Sequence, residues 1–324
     1  IGEPGMNGNA KNFCLTSLAW LAGQLYVGVW NQSEGGSMFR GHADAPNPVD
    51  IKWETITSDA FGNRRNWGFT HIREFKGNLY AGCFNLTQGS EVWRSDSGDP
   101  GSWTMVIPKG WGSPANSDTT MMIDDGKHLY VGTEAARKSD EVGMQLWRTD
   151  GELAPPYDQW ELVNTEGFGN PRNHNICGLA ILKGKIYAGT WNRSQGLEVW
   201  RATIAEKAPF TDWEKVNENG FGDKENIYTC TMVTLADTVF VGSIGTFKTV
   251  PELFTLPKTK LVNAHGGTLA KSTDGTTWEL VDIPGFMDDP QIGIQWIATF
   301  QGKLYIGSQT FGRPMELWVY EPVN

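Results

Sequence analysis

Residues 173–191 read Asn173-His-Asn-Ile-Cys-Gly-Leu-Ala-Ile-Leu182-Lys183-Gly184-Lys185-Ile-Tyr-Ala-Gly-Thr-Trp191. Two runs rich in apolar, β-branched and aromatic residues flank a Lys-Gly pair. That pattern predicts a hairpin, with strands at Ile176–Leu182 and Lys185–Trp191 and a tight turn at Lys183-Gly184. Further short strands are predicted at Leu197–Thr203 and Asp212–Asn217. No apolar period of 3.6 persists anywhere, so helices are not expected.

The unit recurs along the chain. Six apolar runs end in a Leu-Tyr-Val-Gly-like tetrad whose last residues are Gly28, Gly82, Gly132, Gly189, Gly242 and Gly307. Sixteen residues before each stands an amide: Asn12, Asn66, Asn116, Asn173, Asn226 and Gln291. Thirteen residues before the last five amides stands a tryptophan (Trp53, Trp103, Trp160, Trp213, Trp278), and five residues before them an aromatic ring (Phe61, Trp111, Phe168, Phe221, Phe286). Four short strands repeated at this period describe the blades of a β-propeller. The expected fold is all-β, a six-bladed propeller of four-stranded antiparallel blades in a single domain, 1–324. The blades span about 14–57, 68–107, 119–165, 176–218, 229–283 and 294–321 plus 1–4. The last blade is incomplete or is closed by a stub at Ile1–Pro4 lying beside 316–321.

The hairpins that close the third and fourth strands read Arg94-Ser-Asp-Ser-Gly, Arg148-Thr-Asp-Gly and Lys271-Ser-Thr-Asp-Gly-Thr-Thr-Trp278. They resemble the Asp-box repeat, roughly Ser-x-Asp-x-Gly-x-Thr-Trp, of sialidase-like propellers. The resemblance implies that Asp96, Asp150 and Asp274 close turns and that Trp103, Trp160 and Trp278 pack between sheets. It carries no activity, because no spacing fixes the three arginines, the Tyr–Glu pair and the acid that sialidase chemistry needs.

Composition narrows the function. The 324 residues carry 27 Lys+Arg against 37 Asp+Glu, a net charge of −10. That balance argues against a nucleic-acid partner, and no apolar run is long enough to span a membrane. The four cysteines, Cys14, Cys83, Cys177 and Cys230, form no CxxC pair and are expected as buried thiols. Sequons at Asn31, Asn85 and Asn192 are compatible with an extracellular or periplasmic chain, although they fall at equivalent repeat positions.

In a meander blade, second-to-third loops and blade-to-blade loops emerge at the same end, and such loops are where binding residues collect. The repeated amides there read as scaffold that satisfies turns. The departures from the repeat are the candidates. Arg64, Arg65, Trp67 and His71 stand in the first-to-second junction, and Arg172 with His174 in the third-to-fourth. Arg137, Trp191, Gln295 and Trp296 complete a ligand-binding set of rings, amides and guanidinium groups suited to a sugar or an anion. Glu134, Asp288, Asp289, Tyr228 and His174 form the catalytic set. Glu134 is favoured because its blade replaces the Trp-Asn found in others. The insertion Ser243–His265 is expected over the same end.

Five histidines show no metal-ligand spacing, so neither metal nor cofactor is expected, except that the Asp288-Asp289 pair could ligate Ca²⁺. The leading expectation is a propeller, in a monomer, binding a glycan-like or anionic small molecule. A glycoside hydrolase or polysaccharide lyase is the second reading, and a structural or protein-interaction module the third.

Overall fold

The computed structural model describes residues 5–42, 51–135, 143–154, 157–164, 166–245, 266–283, 293–309 and 315–321. The chain divides into two compact units, Ile1–Thr165 and Glu166–Asn324. Each is built from antiparallel meanders.

In the first unit, β1 (Cys14–Leu21), β2 (Gln24–Trp30), β3 (Ser37–His42) and β4 (Trp53–Thr57) form one four-stranded sheet in chain order. β5 (Gly68–Phe75), β6 (Asn78–Phe84), β7 (Val92–Ser95) and β8 (Thr104–Met105) form the next. β9 (Asn116–Asp124), β10 (Leu129–Ala135) and β11 (Leu146–Thr149) follow. After the two-residue strands β12 (Leu153–Ala154) and β13 (Tyr157–Asp158), β14 (Glu161–Asn164) pairs with β11.

In the second unit, β15 (Asn175–Leu182), β16 (Lys185–Trp191), β17 (Val199–Thr203) and β18 (Glu214–Lys215) repeat the meander. β19 (Asn226–Leu235), β20 (Thr238–Gly245), β21 (Leu269–Ser272) and β22 (Glu279–Leu280) do so again. β23 (Gly293–Phe300), β24 (Lys303–Gln309) and β25 (Leu317–Tyr320) form a three-stranded sheet. The stub 1–4, the loop 246–265 and residues 322–324 lie outside the described residues.

The repeated glycines are where sheets meet. A Cβ on Gly82 would collide with Thr119 of the following sheet, and one on Gly28 would come within 2.7 Å of the Phe69 carbonyl oxygen. The first-strand residues that fill these gaps, Phe69, Ile72, Thr119 and Met122, are buried. Their counterparts Leu15 and Leu18 on β1 are 58% and 61% exposed. Within the first unit, no described sheet packs on that face of β1. Cys14 is exposed, against expectation, while Cys83 and Cys177 are buried and Cys230 is half-buried.

The aromatic ring of each described junction takes an unusual backbone. Phe61, Trp111, Phe168 and Phe221 have φ of 57°, 53°, 61° and 57°. This left-handed region costs a bulky residue about 1–2 kcal/mol. Ring packing holds it there: Phe61 lies 4.9 Å from Trp93 and 5.1 Å from Trp103, Trp111 is 5.6 Å from Trp147, and Phe168 is 5.2 Å from Trp200. Three of the turns around these rings are short 3₁₀ segments, which the sequence pattern did not announce.

The hairpin tryptophans do pack between sheets, Trp160 Nε1 donating to the Val106 carbonyl and Trp278 Nε1 to the Val216 carbonyl. Asp274 accepts from the backbone of Thr276 and Thr277, both at 2.7 Å, and these bonds hold its carboxyl below the usual range.

Candidate functional site

Second-to-third loops and junction loops meet at one end of the sheets, as the meander requires. The Asn31 amide N–H donates to the Trp67 carbonyl at 2.7 Å, and that of Asn85 to the Ser117 carbonyl at 2.7 Å. Beneath these loops lies a buried polar ladder. Asn66 Nδ2 donates to Glu91 Oε2 at 2.6 Å, Asn63 Nδ2 to Glu91 Oε1 at 2.7 Å, and Trp93 Nε1 to Glu91 Oε2 at 3.0 Å. Lys109 Nζ sits 3.0 Å from Glu91 Oε1. Asn85 Nδ2 donates to Asn66 Oδ1, and Asn85 Oδ1 accepts the backbone N–H groups of Thr87 and Gln88.

The second unit repeats the arrangement. Asn173, Asn170, Trp200 and Asn219 all donate to Glu198, and Asn192 donates to Asn173. The repeated amides thus spend their donors on buried carboxylates and turn carbonyls. The sequon asparagines Asn31, Asn85 and Asn192 belong to this ladder and are buried.

Above the first unit's ladder, Trp30, Trp67 and Phe84 converge. Ring centroids are 6.2 Å (Trp30–Trp67), 5.0 Å (Trp30–Phe84) and 5.4 Å (Trp67–Phe84). Gly68 makes this possible, since a Cβ there would stand 2.8 Å from Trp30 Cε3. Both indoles are half-buried, and Arg64 and Arg65 in the adjoining loop are exposed. His71 lies on β5 opposite Gly82, just past a register shift at Thr70. Burial, reinforced by Arg73, pushes its imidazole down to about 4.

The next sheet carries an acid pair. Glu134 on β10 stands directly opposite Asp118 on β9, and the two are 4% and 7% exposed. Residues directly opposite on antiparallel strands point to the same face of the sheet. Asp118 Oδ1 accepts a 2.7 Å bond from Thr70 Oγ1.

In the second unit, Trp191 and Tyr228 pair across β16 and β19 with rings 5.2 Å apart and nearly perpendicular. The Arg193 guanidinium lies 4.3 Å over the Trp191 ring. His174 is half-buried on the neighbouring loop and Arg172 is exposed. Gln295 and Trp296 lie exposed on β23, with the Trp296 ring against Gly307. Arg137, Asp288 and Asp289 lie outside the described residues. Asp124-Asp125 is a hairpin turn, with Asp125 Oδ1 accepting the backbone N–H groups of Lys127 and His128.

The sequence places Trp30, Phe84, Asp118 and Arg193 in the loops at this end without singling them out as candidates, and it passes over Glu91 and Glu198. Glu91 and Glu198 were within reach, because each stands 25 residues after its amide and two before a tryptophan.

No known family and no curated protein matches the sequence. Solved structures do match the fold. A puromycin hydrolase superposes with a TM-score of 0.61 at 12% identity, over 96% of this chain and 46% of that one. A Penicillium chrysogenum α-L-arabinanase complexed with arabinobiose gives 0.52 at 10% identity, over 99% and 96%. The Aleuria aurantia lectin in complex with Fucα1-6GlcNAc gives 0.53 at 10%, over 95% and 93%. The chain spans less than half the length of the puromycin hydrolase. With its antiparallel four-stranded meanders and these likenesses, the chain has an all-β, β-propeller fold.

Proposed function

We propose that this propeller, six-bladed and a single domain with Asp-box-type hairpins, binds carbohydrate at the loop end of its sheets, outside the cell or in the periplasm. The observation that carries the reading is the Trp30–Trp67–Phe84 cluster, its two indoles half-exposed over the buried Phe84 and beside Arg64 and Arg65. Indole faces stack on the apolar face of a sugar ring, while guanidinium groups supply fixed donors to its oxygens. Trp191, Tyr228, Arg172 and His174 offer a comparable set in the second unit. The arabinanase and lectin complexes show that propellers of this kind can hold sugars. The test is a glycan panel screened against the wild-type chain and against Trp67→Ala and Trp191→Ala. Binding that falls about tenfold or more in either variant supports the reading; a panel on which nothing binds overturns it.

A second reading, glycoside hydrolysis, is favoured by one observation: the Asp118–Glu134 pair. Glycosidases work with two carboxylates flanking the scissile bond, and cross-strand neighbours have Cβ atoms about 4.5–5.5 Å apart. Here Glu134 and Asp118 would divide the acid and nucleophile roles. In this reading Glu134→Gln abolishes turnover of a bound glycan and leaves its affinity unchanged. Turnover equal to the wild type's in both Glu134→Gln and Asp118→Asn variants eliminates it.

A further inference from the structure

Among the described residues, arginine is almost everywhere engaged. Arg40 binds Glu54 and Asp99, Arg73 binds Asp124, Arg148 binds Glu161, Arg201 binds Glu214, and Arg193 lies on Trp191. Arg94 lies over the Tyr80 ring. Three described arginines stand apart: Arg64, Arg65 and Arg172 are exposed, and their guanidinium groups have no hydrogen-bond or ion-pair partner among the described residues. The chain carries ten more acidic than basic side chains, so partners for a cation are abundant.

The three are not scattered. Arg65 immediately precedes the repeat amide Asn66, and Arg172 immediately precedes Asn173. The corresponding residues in other junctions are Lys11, Ala115, Glu225 and Pro290, and Lys11 is itself bound to Glu34. The loops beneath both arginines are fixed in the same way. Asn63 Oδ1 accepts the Arg65 backbone N–H at 3.3 Å, and Asn170 Oδ1 accepts that of Arg172 at 3.2 Å. The side chains of Asn63 and Asn170 are in turn anchored on the buried Glu91 and Glu198. Just beyond each arginine lies a half-exposed ring, Trp67 or His174.

We propose that each unit presents an anion-binding subsite, Arg64 and Arg65 beside Trp67 in the first and Arg172 beside His174 and Trp191 in the second, and that the carbohydrate bound is acidic. The shared chemistry is a carboxylate or sulfate oxygen on a sugar ring. The guanidinium fork binds such a group in bidentate fashion while the indole covers the ring face. A neutral sugar offers the guanidinium groups only single hydroxyl acceptors and gains less from them than a carboxylate or sulfate does. This inference rests on the carbohydrate reading above.

The experiment uses the full chain and matched glycan pairs: an oligogalacturonate with its methyl ester, and a heparin-derived hexasaccharide with its desulfated form. Calorimetry at low and at 0.5 M salt reads affinity, because screening weakens exposed charge pairs. The expected result is binding of at least one acidic member about tenfold tighter than its neutral partner. The pair that discriminates identifies carboxylate or sulfate. Arg64→Ala/Arg65→Ala and Arg172→Ala each reduce that preference, and the combined variant erases it. These side chains are exposed, so the variants keep the fold, which circular dichroism checks. Neutral and acidic members binding alike, or acidic binding indifferent to the combined variant, overturns the inference and leaves the carbohydrate reading standing. A complete lack of glycan binding sinks both.

Discussion

Replacing Glu91 tests whether the repeated amides are scaffold. The Glu91 side chain is buried and takes donors from Asn66, Asn63, Trp93 and Lys109. Glu91→Ala takes the acceptor from Asn66 Nδ2 and Trp93 Nε1, while Asn63 Nδ2 keeps Gln88 Oε1 at 3.1 Å. Each orphaned buried donor costs about 1–3 kcal/mol, and breaking a buried charged contact typically costs about 3–5 kcal/mol in total. Glu91→Gln is milder, and the third sheet of the same unit shows why. There Gln145 takes the carboxylate's place, and its one carbonyl oxygen accepts both Asn116 Nδ2 at 2.8 Å and Trp147 Nε1 at 3.1 Å. A glutamine at 91 keeps the Asn66 and Trp93 bonds in the same way. Its NH₂ group then faces Asn63 Nδ2 and Lys109 Nζ, donor against donor, and the Asn63 clash alone costs about 1–3 kcal/mol.

The residue three before the amide varies with the acceptor. It is Asn63 or Asn170 where the acceptor is a glutamate, and Ser113 where it is Gln145. Asn63→Ser should therefore relieve Glu91→Gln. Urea unfolding followed by tryptophan fluorescence gives the stability of the wild type, both single variants and the double. The expected double-mutant loss is smaller than the sum of the single losses by about 1 kcal/mol or more. Strict additivity, or a Glu91→Ala variant as stable as the wild type, would refute the ladder as a support of the loops.

The remaining predictions concern a half-buried base and a sheet contact. His71 is held near 4 when folded and titrates near 6.5 when unfolded. Between those values the unfolded chain takes the proton first, so stability is flat above about pH 6.5 and falls by about 3 kcal/mol towards pH 4. His128, lowered chiefly by burial, acts in the same direction. Denaturant titrations should therefore show a reduced slope in His71→Gln and a smaller one in His71→Gln/His128→Gln; an unchanged acid slope in the double variant contradicts the burial of both. Gly82→Ala drives a methyl into Thr119 across the sheet interface. Such overpacking costs about 1–3 kcal/mol, and a thermal shift within error of the wild type would show that the sheets do not meet there.

Much of this was legible because the strands are short and their turns repeat without variation. The hairpin read at Ile176–Leu182 and Lys185–Trp191 appears as Asn175–Leu182 and Lys185–Trp191, and the predicted fourth strand Asp212–Asn217 shrinks to Glu214–Lys215. What escaped has physical causes. First strands shift register near their start, at Thr16, Thr70, Cys177 and Gln295. A bulge reverses the in–out alternation, so the direction faced by residues before it, Asp118 included, does not follow from counting twos. Glu134 was visible as a departure from Trp-Asn, but its partner Asp118 sat in what read as loop. The carboxylates of the ladder were hidden differently. An acidic residue beside a tryptophan on a short strand looks solvated, and only the amide 25 residues earlier explains its burial.

The ladder also bears on where a ligand can bind. An asparagine whose donors and acceptors are already taken by Glu91, Glu198 or turn backbone can offer a ligand nothing without breaking a buried bond. The residues that recur most faithfully are therefore the least available for recognition. They do something else: by clamping the loop from below, Asn63 and Asn170 fix the backbone of Arg65 and Arg172 while leaving both guanidinium groups in solvent. A binding group fixed at its root loses less entropy when it closes on a ligand. If that reasoning is right, Asn63→Ser should weaken acidic-glycan binding in the first unit without touching any atom that meets the sugar, and should leave the neutral partner's affinity where it was. A loss shared equally by acidic and neutral glycans would assign the effect to general loosening of the loop and remove the positioning role from Asn63.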